Sequence, residues 1–182
     1  MVTTAVGQNQ PRTLSIEEYV LSPPDHMEWV DGQLVEKNGM TLKTARVQSK
    51  LDTLWRNFKN SQSLGGEVYT EPPCRTRQQI RRPDVAYLTP ELLTQLGEPN
   101  VLPQSFPLIA EIVSPTDCAE DVFNKANEYL QSGGEEVWLV LPESGWIVVL
   151  TNQGRSLFTR GEIAPTQVIL PGFSIAVEEL LG

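Results

Sequence analysis

Residues 106–115, FPLIAEIVSP, constrain the fold of this chain more than any other segment. This run is the most apolar in the 182-residue sequence, and it is short and bounded by Pro107 and Pro115. Short apolar runs between turn signals are typical of strands buried on both faces of a sheet. We therefore predict a central strand here. Glu111 interrupts it with a carboxylate.

The carboxylate of Glu111 needs compensation if its strand is buried, because an isolated buried charge is strongly unfavourable. A structural ion pair, or a strand-end acid that faces solvent, is one interpretation, and a bound cation is another. Asp84 follows Pro83 at the start of a second apolar segment, VAYL. If the two strands are neighbours, both acids converge, and they repel one another unless a divalent ion bridges them.

The remaining pattern predicts an α/β (α+β) fold, with one mixed sheet flanked by helices. Asp31-Gly32 lies between two short strand-like runs and is a strong hairpin signal. Predicted helices cover a short segment after Ser15, residues 42–60, a short piece inside 89–107, and residues 118–131, while strands are expected in GEVYTE, RRPDVAYLT, EVWLVLP, GWIVVLT and RSLFTR. Residues 1–12 are expected to form a flexible tail and residues 13–182 a single domain.

Composition narrows the class of protein. The net charge is −9, which disfavours a domain that coats nucleic acid by its overall field. The sequence has neither a long apolar run nor a signal-like start, so we expect a cytoplasmic protein with no membrane partner. Cys74 and Cys118 are interpreted as small packing residues in a reducing compartment. Trp138 and Trp146 suggest a face for a homodimer.

Several chemistries are excluded by the residues that are missing. His26 is the one histidine, so neither a His/Cys zinc site nor a supported Ser-His-Asp arrangement can be assembled. Glycine-rich phosphate-binding motifs are also absent. A metal in this protein is therefore expected to be a hard cation held by oxygen, Mg²⁺ or Mn²⁺.

Lys125 and the arginines that precede Asp84 in the sequence can each be interpreted either as functional residues or as structural ones. Lys125 lies at the edge of the apolar arc of its predicted helix, yet on spacing alone an ion pair with Asp121 at i−4 is the better interpretation. Four arginines lie just ahead of Asp84 and would either hold phosphates or protect an edge strand from aggregation. They are Arg75, Arg77, Arg81 and Arg82.

The ordered segments MEWVDGQLVE, RRPDVAYL, LIAEIVSPTD and DVFNKANEYLQSGGEEVWLVLP together resemble the Uma-two family of restriction-endonuclease-like proteins, part of the PD-(D/E)xK nuclease superfamily. The similarity runs from about residue 14 to the C-terminus. It implies a restriction-endonuclease-like fold with an N-terminal hairpin extension, and a metal-dependent endonuclease acting on DNA. By this resemblance, Asp84 and Glu111 hold Mg²⁺ or Mn²⁺, and Lys125 assists the attacking water.

Two positions depart from the superfamily pattern. The expected lysine two residues after the glutamate is Val113, so the resemblance assigns its role to Lys125. Thr44 stands where related proteins often have a histidine. These departures and the acidic charge favour a second hypothesis, a catalytically inactive nuclease-fold module that binds protein or nucleic acid. A hydrolase for small phosphate esters is a third hypothesis that fits the residues but has no supporting motif.

Overall fold

Most of the predicted helices and strands are present within residues 14–37 and 39–182, which the computed structural model describes, but the strand predicted in RRPDVAYLT is divided into two. The predicted tail, residues 1–12, lies outside the described residues. In chain order the elements are α1 (Ile16–Leu21), β1 (Met27–Val30), β2 (Gln33–Glu36), α2 (Leu42–Ser61), β3 (Glu67–Thr70), β4 (Cys74–Arg75), β5 (Ile80–Arg81), β6 (Val85–Leu88), α3 (Pro90–Leu96), β7 (Leu108–Ile112), α4 (Ala119–Leu130), β8 (Glu136–Leu141), β9 (Trp146–Thr151), β10 (Arg155–Thr159), β11 (Ile163–Pro165), β12 (Ser174–Ala176) and α5 (Val177–Leu181).

Local side-chain chemistry explains where the N-terminal elements begin and turn. Ser15 forms a capping box with Glu18: the Glu18 amide donates to Ser15 Oγ (3.1 Å), and the Ser15 amide donates to Glu18 Oε2 (2.8 Å). Asp31 and Gly32 both have positive φ, 50° and 83°, which suits a two-residue hairpin turn between β1 and β2. The predicted hairpin is therefore confirmed.

A six-stranded mixed sheet forms the centre of the fold, in the order β10-β9-β8-β7-β6-β3. Only the β7–β8 pair in this sheet is parallel. Every residue of β7 is buried, which confirms the predicted central strand. The expectation of one sheet was incomplete, because β1 and β2 pair through β5 into a second sheet, β2-β1-β5-β4, and β11 pairs with β12.

The central sheet has helices on both faces. Strand alternation sends Leu108, Ala110 and Ile112 into the core beside α2. Ile109 points the other way, into the core that α4 covers. Glu111 shares the face of Ile109, so it lies on the α4 side of the sheet.

Two sequence interpretations are wrong. Cys118 is exposed at the N-cap of α4, so it is not a packing residue, whereas Cys74 is buried as expected. Trp138 is fully buried with its ring 6.1 Å from that of Trp55, so it cannot form a dimer face. Trp146 is 44% exposed, and the homodimer stays a prediction based on it and on the β-rich C-terminal third of the chain. Within the described ranges, no helix has the length and apolar character needed to cross a membrane.

Glu136 is a fully buried carboxylate that organises the C-terminal segment. Its Oε2 accepts hydrogen bonds from the backbone amides of residues 167–169 at 3.0, 2.7 and 3.1 Å. Its Oε1 accepts from Trp138 Nε1 at 2.7 Å. Four donors therefore satisfy this acid, and its role is structural.

Replacing this carboxylate with an amide should destabilise the fold. In Glu136→Gln one acceptor oxygen becomes an NH₂ group that faces backbone or indole donors, so the free energy of unfolding should fall by about 1.5–3 kcal/mol. Urea denaturation measures this loss. Glu135→Gln, at the exposed neighbouring position, should change the free energy of unfolding by less than about 0.5 kcal/mol. Equal stabilities of the two variants would contradict the assigned role.

Candidate active site

The antiparallel pairing of β6 with β7 brings the two predicted acids together. Val85 lies opposite Ala110, so one step further along the register Asp84 lies opposite Glu111. Both acids line the same cavity of about 590 Å³. Their residues are only 6% and 8% exposed, respectively. The sequence-based expectation that their strands are neighbours is confirmed.

Asp84 is fixed by contacts at both carboxylate oxygens. The backbone amide of Ile112 donates to Oδ2 at 2.6 Å, and Lys37 Nζ lies 2.7 Å from Oδ1. Gln48 Nε2 on α2 donates to the backbone carbonyl of Asp84 at 2.8 Å. The carboxylate is therefore held in one orientation by the neighbouring strand and by a residue just after β2.

Glu111 is held by two residues of α4. Lys125 Nζ lies 3.0 Å from Glu111 Oε1, and the Tyr129 hydroxyl donates to the same oxygen at 2.7 Å. Burial raises the pKa of the Glu111 carboxyl, since the opposing attraction of Lys125 is itself offset by repulsion from Asp84 and Glu28.

Lys125 points into the site, as the resemblance implied, and not toward Asp121. Its ammonium bridges Glu111 and Glu28, the latter at 2.9 Å. The ion pair with Asp121 that spacing favoured is therefore replaced by contacts across the fold. Burial alone would lower the pKa of Lys125, but the carboxylates of Glu111, Glu28 and Asp84 raise it well above its usual value. These carboxylates therefore favour the positively charged form of Lys125.

Glu28 on β1 joins the second sheet to this site. Burial tends to raise the pKa of its carboxyl, but Lys125, the Arg82 amide and Arg81 outweigh burial and lower the pKa. Arg81 Nη1 lies 3.2 Å from Glu28, and Arg81 Nη2 lies 2.8 Å from Glu128. A chain of ion pairs therefore runs from Glu28 on β1 through Arg81 to Glu128 on α4, with acidic and basic side chains in alternation.

The predicted arginine cluster divides into two pairs. Arg82 is buried, donates to the backbone carbonyls of residues 24, 27 and 71, and lies outside the described lining of the cavity, so its position gives no support to the predicted phosphate contact. Arg81 is likewise held by two carboxylates, although it lines the cavity. Arg75 and Arg77 are exposed and lie outside the described lining of the cavity.

Sequence reasoning missed Lys37, Glu28 and Tyr129 as parts of the site. Tyr129 offered a signal, because it stands at i+4 from Lys125 and so shares its helix face. Lys37 and Glu28 offered none, since they lie on the hairpin, far from Asp84 along the chain. Thr44 is buried and bonds to Thr41 at the start of α2.

The donor set suits a hard divalent cation that keeps part of its water shell. Asp84 and Glu111 present carboxylate oxygens to a shared cavity, and among the described residues Glu111 Oε2 accepts no hydrogen bond. Within the described residues, no group of three or more His, Cys, Asp or Glu side chains is arranged to hold a metal ion, so the protein would supply at most two such ligands. Magnesium sites commonly use one or two carboxylates, with waters and substrate phosphate completing the octahedron.

Comparison with known proteins identifies a shared fold and a family. A protein from Anabaena variabilis ATCC 29413, described as a putative nuclease belonging to DUF820, has a crystal structure that superposes with a TM-score of 0.80. The two are 16% identical over 92% of this chain and 97% of that one, which shows a shared fold. No curated protein matches the chain. The Uma2 family, described as "Putative restriction endonuclease", matches residues 15–178, and this chain belongs to that family.

Proposed function

We propose that this protein is a metal-dependent endonuclease that hydrolyses DNA phosphodiester bonds. Asp84 and Glu111 hold Mg²⁺ or Mn²⁺ and Lys125 assists the reaction. The observation that carries the proposal is that Asp84, just before β6, and Glu111 on β7 line one cavity, with Lys125 Nζ 3.0 Å from Glu111. Family membership supports a nuclease-like role.

The net negative charge of the cavity lining favours binding of a cation before binding of a negatively charged substrate. Its described lining contains seven acidic residues and three basic ones. A phosphodiester entering this field alone is repelled, whereas a divalent cation is attracted. When bound, the metal would supply an activated water and neutralise charge on the phosphate.

Lys125 acts as a hydrogen-bond donor and a fixed positive charge. The carboxylates of Glu111, Glu28 and Asp84 raise its pKa and favour the protonated ammonium form. Its ammonium is held at the site by Glu28 and Glu111, so it can orient the attacking water and stabilise charge that develops on the phosphate oxygens. Arg75 and Arg77, which are exposed, remain candidates for contacts with DNA phosphates further along the duplex.

One observation favours the alternative of an inactive binding module. Lys37 already compensates Asp84, and Lys125 compensates Glu111, so the acids do not need a metal for stability. The expectation that the converging acids repel one another unless a divalent ion bridges them is therefore wrong, because two lysines accompany them. Binding of DNA or protein without any metal-dependent cleavage would identify the module.

Removing the Asp84 carboxylate charge should abolish cleavage. Asp84→Asn keeps the shape of the side chain but weakens the metal site, so plasmid nicking in Mg²⁺ or Mn²⁺ should fall by about a hundredfold or more. Asp121→Asn removes the same charge from an exposed position that lines the cavity, and it should retain most activity. Nicking that survives unchanged in Asp84→Asn would locate the activity elsewhere.

Metal should stabilise the parent protein but not a Glu111 variant. At about a hundred times the dissociation constant, a ligand that binds only the folded state adds about 2.7 kcal/mol to the free energy of unfolding. Thermal melts of the parent should therefore rise with MgCl₂. Glu111→Gln should give no such rise, yet it should be at least as stable without metal, because Glu28 still neutralises Lys125. A marked loss of stability, with no metal effect on the parent, would make Glu111 purely structural.

Lys125 should matter for turnover more than for metal binding. In Lys125→Met the cleavage rate should fall about tenfold to a thousandfold because a donor to the reacting phosphate is lost. The Mg²⁺-dependent rise in melting temperature should persist. Comparing nicking rates with melts on the same preparation separates the two effects, and loss of both together would show that Lys125 mainly holds Glu111 in place.

A further inference from the structure

Lys37 contacts the Asp84 carboxylate directly, and the proposed function assigns it no role in the reaction. It follows β2, and its backbone amide donates to the His26 carbonyl at 3.0 Å. Its side chain is 13% exposed and lines the cavity beside Asp84 and Glu111. The hairpin thus delivers a nearly buried ammonium group to the centre of the site.

The Lys37 ammonium contacts Oδ1 of Asp84, the carboxylate oxygen that accepts no backbone hydrogen bond in the described structure. Asp84 Oδ2 accepts from the Ile112 amide at 2.6 Å, which leaves Oδ1 as the free oxygen, and Lys37 Nζ lies 2.7 Å from it. A divalent ion on the same carboxylate would meet this ammonium at close range, where two positive charges repel strongly. Metal and ammonium therefore compete for Asp84.

Glu71 provides a second position for the same ammonium. Glu71 Oε1 lies 3.9 Å from Lys37 Nζ, and Glu71 Oε2 pairs with His26 Nδ1 at 3.0 Å. Rotation about the flexible lysine side chain can exchange one carboxylate partner for the other without moving the backbone.

We propose that Lys37 is a built-in counter-ion of Asp84 that a divalent metal displaces toward Glu71, and that it thereby sets the metal affinity of the site. This inference rests on the metal site of the proposed function. It explains how the acids remain compensated in the metal-free protein while staying able to bind a metal. The consequence is weaker metal binding than two unoccupied carboxylates would give.

Manganese binding, followed through the electron paramagnetic resonance signal of free Mn²⁺, tests the proposal without any activity assay. Lys37→Met should bind Mn²⁺ about tenfold to a hundredfold more tightly than the parent, the range of one charge-assisted hydrogen bond. Lys37→Arg, which keeps the competing charge, should stay within about threefold of the parent. Arg81→Met makes the same charge change in the cavity lining without touching Asp84, and it should have a smaller effect.

A double-mutant cycle with Glu71 distinguishes displacement from a general field. Glu71→Gln should weaken Mn²⁺ binding in the parent, because the displaced ammonium loses its second partner, but should have little effect when Lys37 is already methionine. Equal affinity of Lys37→Met and the parent, or an equal gain in Arg81→Met, overturns the proposal. Absence of Mn²⁺ binding in both the parent and Lys37→Met overturns the metal site itself. Circular dichroism confirms that each variant is folded.

Discussion

The antiparallel pairing of β6 with β7 is the constraint on which the site depends. It places Asp84 opposite Glu111 on a face of the sheet that water hardly reaches. Two carboxylates cannot remain ionised side by side in such a place unless cations accompany them. Lys37 and Lys125 meet this requirement from opposite directions, one from the hairpin and one from α4. The surrounding polar residues follow from this charge balance.

The second sheet is part of the site and not an appendage to it. The Glu28 carboxylate forms an ion pair with Lys125 and accepts a hydrogen bond from the backbone amide of Arg82. Lys37, directly after the other strand of the same hairpin, contacts Asp84. Arg82 stabilises the position of β1, because its guanidinium donates hydrogen bonds to the carbonyls of residues 24 and 27 and to the Tyr19 hydroxyl. A buried arginine whose Nε and both terminal nitrogens donate within the fold is a fixed structural element. The hairpin position therefore controls the electrostatics of the acids.

Much of the fold could be predicted because the interactions that determine it join residues only a few positions apart in the sequence. The Ser15 capping box, the Asp31-Gly32 turn and the apolar run of β7 each specify their local structure. Interactions that span the fold were harder. Spacing paired Lys125 with Asp121, and only family resemblance directed it toward Glu111. Lys37, 47 positions from Asp84 in the chain, gave no sequence signal at all.

The sequence by itself determined the order of elements, the burial of β7 and the identity of the two acids, because apolar periodicity and turn residues act within a few positions. Only the tertiary structure decided which cations meet those acids. In the folded protein Lys125 forms ion pairs with Glu111 and Glu28, and Lys37 forms one with Asp84. Arg82 donates to backbone carbonyls in the interior. The physical reason is that a long charged side chain can reach several partners of opposite sign. Its choice depends on strand register and on which partners are shielded from water, and neither is encoded locally.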